Sequence, residues 1–366
     1  MGCVCWVHNK PMGHLCVTML QPGLQRRAFG AGIACIAGVL AMPALGALNK
    51  PELTRVLLAV SGRSSLSNLP LTIAAQLGYF ESVGLQVDFT DALEEPQVQQ
   101  AVGSGAAQVG AGMFDHTLYL QSKGQPCRAF VLMARSPQVA LGVARKSLAW
   151  YRHTADLKGC VIGVPASVPT AGMVARLVLL RAGLGPADVS IIEVDAHADV
   201  PALLRQGVLD VISHTDPMMT MLEQRGEISI IADTRTLKGT TELFGGVLPS
   251  SCLYVTQEFM RRNPLTVQSL CDAVVRALKW LQTAGPGDIL KTVPEAHLAG
   301  DRALFLAAVD RSREAISPDG LMPDGGPRTA RRVLGTLGVI ARPELIDLSR
   351  AYTNEFAERA KEKFRA

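Results

Sequence analysis

The chain is poor in aromatic residues and lacks the short motifs that mark common enzyme classes. Aromatic side chains make up 5% of its 366 residues, so a core must be built mainly from Leu, Val, Ala and Ile. Hydrophobic residues make up 48%, which is enough for one or two packed cores. The sequence contains no GxSxG, HExxH, phosphate-binding loop or dinucleotide fingerprint, so nothing in it points to the corresponding enzymes.

The chain also has almost no net charge outside residues 1–47. The formal net charge is +4, and residues 1–47 contain Lys10, Arg26 and Arg27 but no Asp or Glu. The rest of the chain has 33 basic and 32 acidic side chains, counted from the same sequence. A nearly neutral body gives no electrostatic reason to expect a nucleic acid or a membrane surface as partner.

The cysteines lack the spacing of a metal site. Four of the eight lie within residues 1–47, and none of the other four belongs to a CxxC pair. We therefore expect no metal and no cofactor. Cys127, Cys160 and Cys252 lie in apolar, strand-like runs and are expected to be buried. Together with Cys271 they allow three disulfide connectivities, among which the sequence does not choose.

Residues 1–47 have the pattern of a signal peptide. A basic segment at Arg26-Arg27 precedes an apolar run over residues 30–45, and small residues follow at 44–47. The run is short for a membrane span, and the arginine pair suggests twin-arginine export. The true start could be Met19. We expect an exported, periplasmic protein; an uncleaved amphipathic anchor is the alternative.

Strand-like and helix-like stretches alternate from residue 53 onward, which is typical of an α/β fold. Residues 69–89 predict a helix ending at Gly78, a turn at Gly84 and an alternating strand. Strands are predicted at 53–61, 85–89, 107–110, 129–133, 139–144, 161–164, 190–194, 209–213, 228–232 and 251–255. Later helices are predicted at 97–103, 115–122, 171–182, 200–206, 217–224, 264–282, 302–316, 327–337 and 345–363.

One stretch resembles a known family. Residues 74–87, AAQLGYFESVGLQV, fit the pattern A-x-x-x-GYF-x-x-x-GL-x-V. This pattern resembles periplasmic substrate-binding proteins of ABC importers of the nitrate, sulfonate and taurine type, which include binders of thiamine pyrimidine precursors. Weaker landmarks are Asp156-Leu157-Lys158-Gly159 and Asp216-Pro217. The resemblance covers roughly residues 53–281.

The resemblance implies a two-lobed periplasmic-binding-protein (type II) fold with an interlobe ligand cleft and a helical C-terminal tail. Residues 48–140 and 250–366 would form the first lobe, and residues 141–249 the second. Such a monomer captures a small organic or anionic ligand (sulfonate, nitrate, aromatic or pyrimidine-like) and delivers it to an ABC permease. The alternatives are a sensing module for a membrane receptor and an enzyme like those of thiamine-pyrimidine biosynthesis. That enzyme carries a cysteine-rich iron motif, which this chain lacks.

The expected site lies in loops that follow strands, because open α/β sheets bind ligands at the carboxyl ends of their strands. The loop at 61–68 offers Ser64, Ser65 and Asn68, although it could be an ordinary turn. The loop at 112–117 offers a ring and two polar groups, Phe114, Asp115 and His116. There Phe114 could stack on a flat ligand, and Asp115 could instead cap a helix.

Two further loops belong to the second module. Ser167, Thr170 and Ala171 lie at a predicted helix start, where free N–H groups suit an anion, although Thr170 could be a plain N-cap. His214 and Asp216 follow another strand, and Asp216 could serve only as a cap. Since His116 and His214 both follow strands, they could approach each other across the cleft.

Overall fold

The computed structural model describes residues 50–366 except 93, 196 and 299, so the predicted signal peptide lies outside the described residues. The strands are β1 (Arg55–Ser61), β2 (Gln86–Ala92), β3 (Val109–Met113), β4 (Cys127–Leu132), β5 (Val139–Ala144), β6 (Val161–Pro165), β7 (Ser190–Val194), β8 (Val211–Thr215), β9 (Ile228–Asp233) and β10 (Ser251–Thr256).

The helices follow the strands in alternation and then dominate the C-terminal part. They are α1 (Leu69–Gln76), α2 (Tyr79–Ser82), α3 (Glu95–Ser104), α4 (Asp115–Ser122), α5 (Pro169–Arg181), α6 (Val200–Gln206), α7 (Met218–Gln224), α8 (Leu237–Phe244), α9 (Gln257–Arg262), α10 (Pro264–Thr283), α11 (Pro286–Thr292), α12 (Arg302–Ser312), α13 (Gly326–Thr336) and α14 (Glu355–Phe364). None of the helices in this part of the chain combines the length and the apolarity that a bilayer span requires.

The two five-stranded sheets have the same arrangement of parallel and antiparallel strands. The first has the strand order β2-β1-β3-β10-β4 and the second the order β7-β6-β8-β5-β9. In the first sheet β1 runs parallel to β2 and β3, while β10 is antiparallel to β3 and β4. In the second, β6 runs parallel to β7 and β8, while β5 is antiparallel to β8 and β9. The carboxyl ends of the parallel strands therefore carry loops along one edge of each sheet.

The chain passes between the sheets twice, through residues 133–138 and residues 234–250. The two crossover segments hydrogen-bond to strands and to each other, since Gln138 N donates to Thr234 O (3.2 Å) and Ser250 N donates to Ala134 O (2.9 Å). Each crossing lies just before a strand of the sheet that the chain enters, β5 for the first crossing and β10 for the second. The lobe boundaries given above stay a prediction.

Burial of the strands explains why the alternation of strands and helices could be predicted from the sequence. In β5 all six residues are buried, and β1 buries Val56, Leu58, Ala59 and Val60. Strands covered on both faces read as continuous apolar runs. Helices α1, α10 and α14 cover the first sheet, with buried residues of α10 packed on Val131 and Leu253, and α5 packs on the second sheet. The predicted α/β class is confirmed by this architecture.

The helix predictions differ from the structure in extent and by omission. The helix predicted at 345–363 forms only as α14, because residues 343–350 make two short 3₁₀ turns, one closed by Asp347 Oδ1 accepting from Ser349 N (3.0 Å). Helix α8 was not predicted. It begins where Thr236 Oγ1 accepts from Gly239 N (3.0 Å), and its Thr- and Gly-rich sequence hides the helical period.

Candidate functional site

A polar cavity lies between the two sheets, and the loops at the strand ends surround it. This cleft cavity has a volume of about 150 Å³ and is lined from both sheets and from the first crossover segment. Seven of its fifteen lining residues carry hydroxyl groups: Ser61, Ser65, Ser67, Ser167, Thr170, Thr215 and Ser312. Hydroxyl groups both donate and accept hydrogen bonds, so this lining suits a small polar molecule.

The charges at the cleft cavity are already paired within the protein. Its lining includes two acids, Glu95 and Asp216, and none of the described lining residues is Lys, Arg or His. Glu95 Oε2 lies 3.0 Å from His116 Nε2, and Asp216 lies 3.4 Å from the fully buried guanidinium of Arg235. No free cation in this lining is therefore available to bind an anion.

The residues predicted in the loop at 61–68 differ in their roles: one lines the cavity and another holds the loop in shape. Ser65 lines the cavity, and its Oγ lies 3.0 Å from Ser67 Oγ. Asn68 is buried, with Nδ2 donating to Ser61 O and Gly62 O (both 3.1 Å) and Oδ1 accepting from Ser251 Oγ (3.2 Å). Asn68 thus holds the loop in shape, while Ser64 is exposed and is not among the lining residues.

Phe114 does not offer a stacking face. Its ring is fully buried and packs edge-on against Tyr352, with ring centroids 6.2 Å apart. The expectation of a ligand-stacking role is corrected accordingly, because the ring completes the apolar core behind β3. Asp115 does not cap α4 through its side chain either, since the helix has Phe114 at its N-cap and no side-chain cap hydrogen bond.

Asp115 and His116 line a second cavity of about 290 Å³, which we call the side cavity. It shares Glu95 and Thr170 with the cleft cavity, and its far wall includes Leu334 and Leu337. Burial opposes protonation of the His116 imidazole, but the carboxylates of Glu95 and Asp115 outweigh it and raise the pKa of His116. Burial raises the pKa of Asp115.

The helix start at α5 contributes two of its three predicted residues. Ser167 and Thr170 line the cleft cavity, and Thr170 also reaches the side cavity. Ala171 is fully buried, and its carbonyl oxygen accepts from Ser213 Oγ (2.8 Å). Thr170 makes no cap hydrogen bond, because α5 begins with Pro169 and its N-cap is Val168. Ala171 thus serves packing.

The structure separates the two residues predicted near the end of β8, since His214 lies within the strand and Asp216 follows it. Asp216 lines the cleft cavity and accepts from Thr220 N (2.8 Å), so it both faces the cavity and stabilises the start of α7. His214 Nδ1 accepts from Thr215 N (2.9 Å), and burial lowers the pKa of this imidazole. His116 and His214 have different partners, and no contact between them is found among the described residues.

Several site residues escaped the sequence analysis, among them Glu95, Gln138 and Ser312 of the cleft lining and Arg235, the partner of Asp216. Glu95 begins α3, Arg235 follows β9, and Gln138 ends the first crossover segment. Gln138 is 3% exposed, lines the cleft cavity and has φ of 59°. Gln138 could have been identified from its position, because Ser136-Pro137-Gln138 is a loop between two predicted strands. The site is expected in loops that follow strands.

Metal and thiol chemistry find no support here. Across the described part of the chain, no group of three His, Cys, Asp or Glu residues could hold a metal ion. Cys127, Cys160, Cys252 and Cys271 are free and buried. Burial raises the pKa of the Cys127 thiol to about 12, and it raises those of the other three thiols. None of the four belongs to the cleft lining.

Comparisons with known proteins agree with this fold. A family model described as NMT1/THI5 like matches residues 66–284, more than half of the chain. The riboflavin-binding protein RibY of Chloroflexus aurantiacus is 24% identical over 84% of this chain and 87% of its own length. A solved structure of a Bordetella bronchiseptica RB50 protein is 45% identical with a TM-score of 0.77, covering 87% of this chain and 100% of its own.

More distant structures share the fold alone. The periplasmic sulfonate-binding protein SsuA of Methylobacillus flagellatus KT gives a TM-score of 0.65 at 17% identity, over 86% of this chain and 95% of its own. The predicted periplasmic-binding-protein fold is thereby confirmed. The desulfurization enzyme DszB gives a TM-score of 0.57 at 18% identity, over 84% and 99% of the two chains. The fold therefore does not by itself separate binding from catalysis.

Proposed function

The chain belongs to the NMT1/THI5-like family, and from this premise we propose that it is the solute-binding component of an ABC importer. It would capture a small organic molecule in the cleft cavity and deliver it to a permease in the inner membrane. The relatives RibY and SsuA, which are named as binding proteins, support this function. We also propose a periplasmic location, reached through the signal peptide predicted at residues 1–47.

The observation that carries the proposal is the cleft cavity itself. Its lining comes from the ends of β1, β3, β6 and β8 on two separate sheets, so a bound molecule would touch both halves at once. Pockets between lobes are favoured ligand sites, and hinge bending at crossover segments closes them. The lining offers seven hydroxyl groups, one primary amide and two internally paired carboxylates, which suits the binding of a small polar molecule.

Of the predicted site residues, we propose that Ser65, Ser167, Thr170 and Asp216 contact the ligand. Asp115 and His116 would border it from the side cavity. Asn68, Phe114 and Ala171 would support these residues from the core. Because both acids at the cleft are internally paired and no cation lines it, an uncharged polar ligand fits better than nitrate or a sulfonate.

A thermal-shift panel tests the proposal. The purified protein is scanned with pyrimidines, pyridines, riboflavin, aromatic carboxylates, sulfonates and nitrate. A ligand at about a hundred times its Kd adds roughly 2.7 kcal/mol of stability. We expect an uncharged organic member of the panel to raise Tm, whereas a panel that leaves Tm unchanged would contradict these ligand classes.

A matched pair of variants locates the binding. Thr170→Asp places a carboxylate in the cavity wall while keeping α5 intact, because an acidic residue suits the first turn of a helix. Thr170→Ser keeps the hydroxyl. The ligand-induced shift should vanish in the first variant and persist in the second. An equal shift in both would mean that the ligand binds outside the cleft.

A further inference from the structure

Gln138 is held in the cleft cavity by its backbone. It is the last residue of the first crossover segment, and its amide N–H donates to Thr234 O (3.2 Å) in the second one. The next residue is fixed at the same point, since Val139 N donates to Thr234 Oγ1 (3.1 Å). The backbone of Gln138 has φ of 59°, a left-handed conformation that is uncommon for a residue other than glycine. These contacts fix where the side chain lies.

The side-chain amide of Gln138 is buried without a partner. The residue is 3% exposed, and neither Nε2 nor Oε1 has a hydrogen-bond partner within the described part of the chain. The residue lines the cleft cavity. Buried amides are nearly always hydrogen-bonded, and unusual backbone conformations persist where the surrounding structure imposes them. An unsatisfied donor and acceptor on a residue that lines the cavity therefore point to a molecule that fills it.

We propose that Gln138 recognises an uncharged ligand through an N–H group and a carbonyl oxygen that lie side by side, as in a lactam, ureide or cyclic imide. This inference rests on the proposed binding function and narrows its ligand class. A primary amide presents an acceptor and a donor in one plane. The cis N–H and C=O of a lactam pair with both at once, and two parallel hydrogen bonds add specificity.

An oxyanion does not satisfy the same amide. Nitrate and sulfonate groups carry only acceptors, so they would place a negative oxygen against Oε1 of Gln138 or leave it unpaired. The remaining lining agrees with an uncharged ligand. Ser312 Oγ lies at the cavity without a partner among the described residues, and hydroxyl groups accommodate either a donor or an acceptor. The acids of the lining, Glu95 and Asp216, are paired with His116 and Arg235.

Calorimetric titration with simple probes tests the ligand class. The probes are uracil and succinimide, which carry the cis N–H and C=O edge, 1,3-dimethyluracil, which has no N–H, and ethanesulfonate and nitrate. We expect uracil or succinimide to bind and 1,3-dimethyluracil to bind at least tenfold more weakly. Binding of the anions alone would overturn the inference and leave the binding function standing. Failure of the two edge-bearing probes would overturn it as well, and failure of every probe would count against both.

Substitution of Gln138 tests the residue by two readouts, the ligand-free Tm and the affinity for the edge-bearing probe. Gln138→Met keeps the shape and removes the unpaired amide, so the ligand-free Tm should stay the same or rise while binding of the edge-bearing probe falls at least tenfold. Gln138→Glu removes the donor and should also abolish binding. A fall of the ligand-free Tm in Gln138→Met, with probe affinity retained, would show a structural role and overturn the inference.

Gln268 provides the matched control. Its Nε2 donates to Asp272 Oδ1 (2.8 Å) and Phe356 O (3.0 Å), and its Oε1 accepts from Arg359 Nε (2.8 Å). It lies on α10 and is not among the lining residues of the cleft cavity. Gln268→Met should therefore lower Tm and leave probe affinity unchanged, the opposite of the result expected for Gln138→Met.

Discussion

Of the residues at the two cavities, His116 is the one whose charge state affects both most directly. Its side chain is 7% exposed, and its Nε2 lies 3.0 Å from Glu95 Oε2, a carboxylate that borders both cavities. Protonation of His116 neutralises Glu95 and so keeps a negative charge away from a bound molecule. Because the paired carboxylates outweigh the burial of the ring, the pKa of His116 is raised.

The sign of the resulting pH dependence follows from this shift. A histidine with a raised pKa in the folded state stabilises the protein fully below the unfolded-state pKa, and the stabilisation is lost as pH rises through the folded-state pKa. His116→Gln should therefore cost most at acidic pH, and its Tm should approach that of the wild type as pH rises. Thermal scans from about pH 5.5 to about pH 8.5 measure this difference.

His214 supplies the contrasting variant. Burial lowers the pKa of its imidazole, so His214 lowers stability as pH falls below its unfolded-state pKa. His214→Gln should gain stability relative to the wild type at acidic pH, opposite to His116→Gln. Parallel pH profiles for the two variants would contradict the assignment of the Glu95–His116 pair.

For strands and loops, the sequence predicted which loops surround the cavity. It did not predict which residues of each loop line the cavity. Buried strands such as β5 and β10 could be predicted because their apolar runs are local features of the sequence. Whether a loop residue faces the cavity depends on contacts made far along the chain. Phe114 packs on Tyr352 and Asn68 bonds to Ser251, and no spacing within either loop reveals those partners.

The same limit explains why Arg235 was missed. The guanidinium lies 2.7 Å from Asp233, 3.4 Å from Asp216 and 3.4 Å from Glu223, and so joins the ends of β8 and β9 to α7. Burial opposes its charge, but these three carboxylates outweigh it and raise the pKa of Arg235. In the sequence it is one arginine in a polar loop, without a pattern that marks it as buried.

Removing Arg235 should be costly. Arg235→Met would leave Asp216 buried without its counter-ion, and breaking a buried ion pair in this way costs about 3–5 kcal/mol. Denaturant unfolding measures the loss, and ligand affinity should fall too, because Asp216 lines the cleft cavity.

An exposed ion pair is the comparison for this variant. Arg205 lies 3.2 Å from Glu227, and its side chain is 53% exposed, so Arg205→Met should cost at most about 1 kcal/mol. Similar losses for Arg235→Met and Arg205→Met would refute the idea that the buried cluster organises the loop after β8.

In the molecule as a whole, one apolar cluster includes residues of both sheets. One core cluster includes Leu132 of the first sheet together with Leu141 and Ile162 of the second, and it also includes Val333 of α13. The first sheet has a further cluster of its own, to which Phe305 of α12 belongs. A hinge motion that preserves this shared cluster would separate the halves at other contacts, including polar ones.

The contact between α7 and α12 is such a place. Arg311 of α12 lies 2.7 Å from Glu223 of α7, with exposed fractions of 47% and 31% for the two side chains. At this exposure an ion pair is worth about 0.2–1 kcal/mol. An increment of this size changes an equilibrium between open and closed forms by up to about fivefold. The pair is thus suited to bias closure without locking it.

Arg311→Glu should open the molecule, because it places two carboxylates against each other across the mouth of the cleft, where Ser312 lines the cavity. Small-angle X-ray scattering should show a larger radius of gyration for the ligand-free variant, and ligand affinity should fall. Arg302→Glu makes the same charge change on the same helix but breaks only a pair with Glu295, 2.7 Å away. If both variants scatter like the wild type, the α7–α12 contact does not bias closure.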